Sequence, residues 1–452
     1  MTKPRKYQRI GVRRMQRKFR GRALLADEMG LGKSAQALWW IQKYLLKGLV
    51  IIVCPASLKW NWQNEAMKHI QMDSLILEGT KPYDISEMGS IPRLVIINYD
   101  ILHHWLQYLK KLRPRLIICD EIHKLGNRKT IRTKSVMKLC RGVRHLIFLS
   151  GTPLTNRPAE LWPTLNILKP SLFPSFFSYA MRYCNPQKTP WGWQFKGAKN
   201  LDELHSILNE EIMIRRRKAD VLGELPNKTR TIVPITLKNR KEYDLAVRDF
   251  IKWLRKKSAR KALRAKKALK LVKLGYLKRL AGILKLQYTL EWIDEFLEEN
   301  DGKLIVFGVH QAVLEAIYEK YKHIAVLVDG GVTGHKRQQM FDTFTHNPKI
   351  RLFIGNINAA GVGWNGTAAS TVVFAEIAWT PGEHTQAEDR IHRIGQEHGA
   401  MIYYLVAKQT IEEDLIQIIQ EKQKVLDAAL DGGKVEDTLD IFDQLLSTYT
   451  KG

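Results

Sequence analysis

Two short stretches hold residue types that can do chemistry together. The run Leu25-Ala-Asp-Glu-Met-Gly-Leu-Gly-Lys-Ser34 ends in Gly-Lys-Ser and opens a helical pattern over residues 35–44. Glycines let a backbone wrap a phosphate, and the amides at a helix N-terminus complement its charge. Lys33 would reach the β- and γ-phosphates of a nucleotide, and the Ser34 hydroxyl would bind magnesium. Asp27, Glu28, Met29, Gly30, Leu31 and Gly32 would form the rest of the cradle. Asp27 stands where the usual pattern has its first glycine, so this stretch alone could be a chance loop. The second stretch, Arg115-Leu-Ile-Ile-Cys-Asp-Glu-Ile-His123, is an apolar strand ending in two carboxylates. Asp120 suits magnesium, directly or through water. Glu121 is placed to orient and deprotonate an attacking water. A phosphate loop followed by Asp-Glu-x-His implies ATP and Mg2+ as cofactors rather than a solvated acidic turn.

Two further runs extend this chemistry. Phe148-Leu-Ser-Gly-Thr-Pro153 puts small hydroxyls at another strand end, where they can sense the γ-phosphate. Gln386-Ala-Glu-Asp-Arg-Ile-His-Arg-Ile-Gly-Gln396 sets Arg390 and Arg393 three residues apart, the spacing of one helix face. Two guanidiniums so placed could enter a cleft as arginine fingers. The alternative is surface salt bridging with Glu388 or Asp389.

Elements must hold these residues in place. Apolar runs at Leu49–Cys54, Leu94–Asn98, Leu116–Cys119 and His145–Leu149 alternate with helical patterns. A second set follows at Leu304–Phe307, Ile324–Val328, Leu352–Ile354, Thr371–Ala375 and Ile402–Val406. Continuous apolar strands between helices indicate parallel sheets covered on both faces. The fold class expected is therefore α/β with two parallel-sheet lobes, which suits 452 residues better than one core. From about 171 to 290 the pattern changes to aromatic-rich turns and then a long basic stretch. The expected organisation is a nucleotide-binding lobe over 1–170, a helical middle over 171–290, and a second lobe over 291–452.

Charge points to the partner. Residues 1–22 hold ten Lys/Arg and no acid, and residues 251–290 hold fourteen and no acid. These two stretches supply most of the net +28, and localised positive charge suggests a polyanion. Within the second, Leu269, Val272, Tyr276, Leu280 and Ile283 recur at helical steps as an apolar stripe, with Lys266, Lys267, Lys270, Lys273 and Lys278 off it. Such a helix could rest on an anionic membrane, but its place between two lobes argues for DNA phosphates. No apolar run approaches the roughly 20 residues of a membrane span, and no secretory signal is seen. Cys54, Cys119, Cys140 and Cys184 lie far apart without metal spacing, which suggests a reducing compartment.

Together, these motifs resemble the SWI/SNF-type ATPases of helicase superfamily two, almost end to end. That resemblance implies two RecA-like lobes with helical protrusions between them. Tyr7-Gln8 and Gly11-Val12 look like the adenine-reading motif, with Gln8 on the base edge. Cys54-Pro-Ala-Ser-Leu-Lys-Trp-Asn-Trp62 looks like the first DNA-contacting loop; Lys59, Trp60 and Thr152, with Lys266, Lys267, Lys270 and Lys273, are the expected DNA contacts. Asn98-Tyr99-Asp100 and Ala359-Ala-Gly-Val-Gly-Trp-Asn365 fill two more family positions. Arg182-Tyr-Cys-Asn185, Pro190-Trp-Gly-Trp193 and Ile214-Arg-Arg-Arg-Lys-Ala-Asp-Val221 look like the HepA-related annealing-helicase branch. Ile122 replaces the usual Ala of Asp-Glu-Ala-His, and Trp364 stands where Leu is more usual.

The expected function is an ATP-dependent duplex-DNA translocase, blind to sequence and able to anneal or remodel branched DNA. The alternatives are a strand-separating DNA or RNA helicase and a catalytically silent DNA-binding scaffold. The partner expected is double-stranded or branched DNA, with no membrane and no inferable protein partner. The motor is expected as a bare monomer, intracellular, in the cytoplasm of a microbe or virus-infected host rather than in a nucleus.

Overall fold

Val50–Cys54, Leu94–Asn98 and Leu116–Asp120 are buried along their whole length. Strands of this kind are stable only with both sheet faces covered. A computed structural model describes residues 2–85, 92–190, 192–256, 273–332, 334–360 and 364–432. The chain divides into two units: Met1–Glu224 with Lys424–Leu439, and Leu225–Gln423 with Asp440–Gly452. Residues 171–290 are therefore shared between them.

Unit one holds β1 (Arg22–Leu25), β2 (Val50–Cys54), β3 (Ser74–Ile76), β4 (Leu94–Asn98), β5 (Leu116–Asp120), β6 (His145–Leu149) and β9 (Met213–Ile214). They form a parallel sheet in the order β3-β4-β2-β5-β6-β1-β9. A hairpin of β7 (Gln187–Thr189) and β8 (Gly192–Gln194) belongs to the same unit. Unit two holds β10 (Lys228–Ile235), β11 (Lys303–Gly308), β12 (Ala325–Val328), β13 (Leu352–Asn356), β14 (Ala369–Phe374) and β15 (Ala400–Ala407). They form a second parallel sheet, β10-β15-β14-β11-β13-β12. The α/β class with two parallel-sheet lobes is thus the fold of the chain.

The strands that sequence patterning misses have physical reasons. β10 reads Lys-Thr-Arg-Thr-Ile-Val-Pro-Ile and is mostly exposed. It is an edge strand, where charge and proline are tolerated because one side is unpaired. β3 and β9 are three and two residues long, too short for periodicity to register.

The basic stretch also differs from expectation. Lys266, Lys267 and Lys270 lie outside the described residues. Within helical residues 273–284, Leu274, Leu277, Leu280 and Ala281 are buried, while Tyr276 is 52% and Ile283 43% exposed. The apolar stripe over Tyr276 and Ile283 is therefore the wrong face. Lys273 and Lys278, expected off the stripe, are instead buried. In a segment where Leu and Lys alternate this densely, several three- and four-residue spacings coexist, and packing against unit two selects one. Burial lowers the Lys278 ammonium to about 8 despite Glu376, Glu383 and Glu412, and it sits 4.6 Å over the Trp379 ring.

At the end of this helix, the fully buried Lys285 donates to Glu412 at 2.7 Å and to Leu405 O. Glu412 also accepts from Ala407 N–H at 3.0 Å. The pair joins residue 285 to the end of β15 and the start of helix Ile411–Asp431. Removing one partner of a buried pair strands the other charge, at a cost of about 3–5 kcal/mol. Glu412→Gln should therefore lower the urea midpoint of the protein by several-fold more than an exposed control such as Glu319→Gln, read by chemical denaturation at neutral pH.

Candidate active site

In a parallel sheet all strand C-termini reach one edge, and ligands bind there. The register places Leu25 beside Leu149 and Leu149 beside Asp120. The phosphate loop, the Ser-Gly-Thr run and the Asp-Glu pair thus leave β1, β6 and β5 side by side. This adjacency brings three motifs spread over residues 25–152 into one site within unit one.

The phosphate loop leads into helix α2 (Lys33–Tyr44), whose N-cap Gly32 has φ +71°. A Cβ there would be left-handed and 2.6 Å from Gln8 Nε2, so only glycine fits. Lys33 Nζ donates to Asp27 O at 2.8 Å and Glu28 O at 3.2 Å, which holds the ammonium inside its own loop. The side chains of Asp27 and Gln8 do something other than touch phosphate. Asp27 is fully buried; its carboxylate accepts from Arg216 Nε at 2.9 Å, from Arg216 Nη2, and from Gln36 Nε2 at 3.0 Å. Gln8 Nε2 and Tyr7 OH donate to Leu31 O at 3.2 and 3.1 Å. The Gln8 amide, expected on a base edge, is thus also a brace of the loop. Gly11 lets helix α1 (Lys6–Arg17) close on this brace: a Cβ would lie 2.4 Å from Gln36 Oε1 and 2.6 Å from Arg216 Nη2.

Backbone pairing brings Arg216 there. Leu24, Ala26 and Glu28 N–H donate in turn to Ile212, Ile214 and Arg216 O at 2.9, 2.7 and 3.0 Å, so the loop is the continuation of a strand pair. The Glu28 carboxylate accepts from Lys218 N–H at 2.6 Å. Sequence reading missed this role of Arg216; its signal was a run of three arginines directly after a short apolar pair.

Asp120 and Glu121 are both buried. Asp120 accepts from Trp62 Nε1 at 2.9 Å and from Glu121 N–H at 2.9 Å, while Tyr99 OH donates to Asp120 O at 2.7 Å. Trp62 comes from helix α3 (Lys59–Ile70) and Tyr99 from the end of β4. Burial, then the charge of Glu121, raise the Asp120 carboxyl to about 7 against the pull of Trp62 and Lys33. Glu121 has φ +53°, a left-handed conformation that costs a non-glycine residue about 1 kcal/mol. That turn directs its carboxylate to His123 Nδ1 at 3.3 Å and Ser150 Oγ at 3.5 Å. Thr152 N–H donates to Ser150 Oγ at 3.2 Å, so the hydroxyl run is tied to the acidic pair. A desolvated carboxylate pair beside an ammonium, a serine at a helix start and a glycine-shaped cradle fits a magnesium-bound nucleotide.

Arg390 and Arg393 belong to unit two. They do not share a helix face, because helix Pro381–Glu388 ends before them and turns follow. Both still converge: Arg390 Nη1 and Arg393 Nη1 donate to Trp364 O at 3.1 and 3.0 Å. Trp364 itself stacks on Phe353 at 4.4 Å and Phe341 at 4.7 Å and donates Nε1–H to Ala360 O at 2.6 Å. The unusual Trp therefore fills an aromatic core that fixes the carbonyl gripping both arginines. Glu388 makes its ion pairs elsewhere: Lys228 at 2.9 Å and Arg230 at 2.6 and 2.7 Å, with Tyr404 OH at 2.6 Å.

Of the expected DNA contacts, Trp60 is 52% exposed. Lys59 is buried and donates to Leu77 O at 3.3 Å and Glu78 at 3.2 Å, and Thr152 is buried beside Ser150. Among the described residues no helix is long and apolar enough to cross a membrane.

The SNF2-related domain model matches residues 7–285 and the Helicase conserved C-terminal domain model residues 285–395. A Xenopus laevis protein named SWI/SNF-related matrix-associated actin-dependent regulator of chromatin subfamily A-like protein 1 is 37% identical over 418 residues, covering 90% of this chain and 42% of that protein. The Mus musculus DNA annealing helicase and endonuclease ZRANB3 is 34% identical over 437 residues, covering 92% and 40%. The chain therefore spans about two fifths of the length of these relatives. A solved structure of the Sulfolobus solfataricus SWI2/SNF2 ATPase core in complex with dsDNA is 23% identical, covers 99% of this chain and 96% of that one, and gives a TM-score of 0.45. The relatives overturn the expected setting in the cytoplasm of a microbe or virus-infected host: they are animal proteins, and the first is named for chromatin.

The Glu388 cluster yields a pH test. Burial alone would raise this carboxyl, but Lys228 and Arg230 outweigh it and hold it at about 2, against an ordinary 4.5. A depressed folded pKa contributes stability above the unfolded value and loses it as pH falls through the folded one. Glu388→Gln should cost about 3 kcal/mol at pH 7, and the difference from the parent should shrink as pH falls from about 4.5 towards 2. Urea midpoints at neutral and acid pH check this; a constant difference would contradict it.

Proposed function

Because this chain belongs to the SNF2-related family, we propose that it is an ATP-dependent translocase on double-stranded or branched DNA, blind to sequence, that anneals or remodels branches. The convergence of Lys33, Asp120, Glu121 and Ser150 on one sheet edge carries the reading. Lys33 and the first amides of α2 hold the nucleotide phosphates. Ser34 and Asp120 would hold magnesium, which would screen phosphate charge and offset the desolvation of Asp120. Glu121 takes the proton of the attacking water, steadied by His123 and Ser150. Arg390 and Arg393 are proposed as the positive charges that meet the γ-phosphate. Gln8, which braces the loop through Leu31 O, is proposed to meet the adenine edge, and Asp27, Glu28, Met29, Gly30, Leu31 and Gly32 form the loop wall. Exposed Trp60, with Lys266, Lys267 and Lys270, is proposed to contact DNA, chiefly through phosphates, which carry no sequence information; Lys59, Thr152 and Lys273 are buried.

Turnover tests the site. Glu121→Gln should retain ATP binding and lower hydrolysis by about 100-fold or more, the usual contribution of a general base; Lys33→Ala should weaken binding itself. Hydrolysis at the parent rate in Glu121→Gln would remove the base assignment. The polymer is tested by comparing stimulation by duplex DNA, single strands and RNA, with duplex or branched DNA expected to lead.

Motion is tested separately. Displacement of a triplex strand should require ATP and Arg393, because only tracking along the duplex is needed. A plain fork with a long stem should stay paired. Efficient ATP-driven separation of that stem would replace the translocase with a strand-separating helicase.

A further inference from the structure

Tyr183 and Cys184 on one side and Ala198 on the other are buried in unit one and hold the base of a short excursion that carries β7 and β8. Lys199 N–H donates to Tyr183 O at 3.0 Å, and Asn200 Nδ2 donates to Arg182 O at 2.9 Å. Between these points, β7 and β8 pair as an antiparallel hairpin with Lys188 directly opposite Trp193. Opposed residues of an antiparallel pair share a face. An ammonium and an indole thus stand side by side, both exposed, Trp193 at 43%.

The hairpin is anchored at its base. Phe195, just past β8, meets Phe176 edge-on at 5.6 Å and Phe177 at 5.9 Å. Arg128 lies 4.1 Å over the Phe176 ring, and Phe177 is 51% exposed. A two-stranded hairpin is marginal alone, so this aromatic base stabilises it, while Trp193 keeps 43% of its surface exposed. From 176 to 199 the sequence has four Lys/Arg and no acid; Arg182 is paired with Glu203 at 2.8 Å, and the other cations of the segment are Lys188, Lys196 and Lys199. Exposed rings interleaved with cations, on a segment none of the nucleotide chemistry uses, need a ligand with both flat apolar faces and negative charge.

We propose that this hairpin is a stacking site for unpaired DNA bases, with Trp193 and Phe177 offering ring faces and Lys188 and Arg128 meeting the adjoining phosphates. Bases within a duplex are stacked on each other and cannot reach a side-chain ring. Unpaired bases can, and they stack on aromatics whatever their sequence. A protein partner fits less well, since lysine is depleted from protein interfaces. The site would let a motor that tracks along duplex recognise where pairing stops, a role that rests on the translocase reading above.

Three probes separate the outcomes: a blunt duplex, the same duplex with a single-stranded arm, and the arm alone. Trp193→Ala should weaken binding of the arm and of the armed duplex by about tenfold, at the low end of one lost stacking contact. Binding of the blunt duplex, its stimulation of ATP hydrolysis and the thermal midpoint should be unchanged. Trp193→Phe should restore most of the loss. Photocrosslinking of 5-iodouracil in the arm should label β8 in the parent. Equal weakening on all three probes, or none on any, overturns the proposal and leaves the patch to a protein partner or to fold stability. If no DNA stimulates hydrolysis in the parent, the translocase reading fails, while binding of the arm alone still decides the hairpin.

Discussion

Asp27 is a fully buried carboxylate in the wall of the phosphate loop, and a buried charge persists only when it is paired and hydrogen-bonded. Its partner, Arg216, lies 189 residues away. The guanidinium also meets Gln36 Oε1 at 2.8 Å and packs 5.2 Å over the Tyr7 ring. One ion pair therefore gathers α1, the loop, α2 and the strand after residue 212. Where a glycine would leave the loop free to choose its path, an aspartate ties that path to the rest of unit one. Glu28, bonded to Lys218 N–H, repeats the device one residue on. The loop can then present Lys33 and the α2 amides in a set geometry before any ligand arrives, which is what preorganised charge stabilisation requires.

Unit two uses the same physics around its arginine motif, again with a buried carboxylate paired to cations from a distant strand. Glu388 is the buried carboxylate, and Lys228 and Arg230 reach it from the edge strand β10. The arginines next to it are thereby left to another anchor, the Trp364 carbonyl. Division of labour between acid and base within eleven residues follows from burial. The acid is enclosed by β10, β15 and helix Pro381–Glu388, while the Trp364 carbonyl accepts from both arginines of the turn that follows.

The acidic pair shows how strain and desolvation combine. Glu121 occupies a left-handed backbone position, and Asp120 carries a carboxyl raised to about 7 by burial and by its neighbour. Both features are unfavourable for stability, and both come with two buried carboxylates on adjacent residues, close enough to Lys33 to feel its charge. Trp62 and Tyr99 hold them there from α3 and β4. Function is therefore supported by residues whose own chemistry is inert.

The local motifs were readable in the sequence because each is contiguous: Gly-Lys-Ser before a helix, Asp-Glu after an apolar strand, Ser-Gly-Thr after another. The parallel strands were readable for the same reason, since burial on both faces leaves an unbroken apolar run. Tertiary structure alone decided what depended on distant partners. It assigned Arg216 to Asp27, Lys228 and Arg230 to Glu388, and the Gln8 amide to Leu31 O. It turned the Leu- and Lys-rich helix so that Leu274, Leu277 and Ala281 face inward with Lys273 and Lys278, because helical spacing restricts the candidate faces without choosing among them. It ended the helix before Arg390, since the turn's anchor is a carbonyl 26 residues upstream. Spacing along the chain constrains neighbours within a turn or a strand; pairing across the fold is set by which charges and carbonyls packing leaves without water, and that is a property of the assembled core.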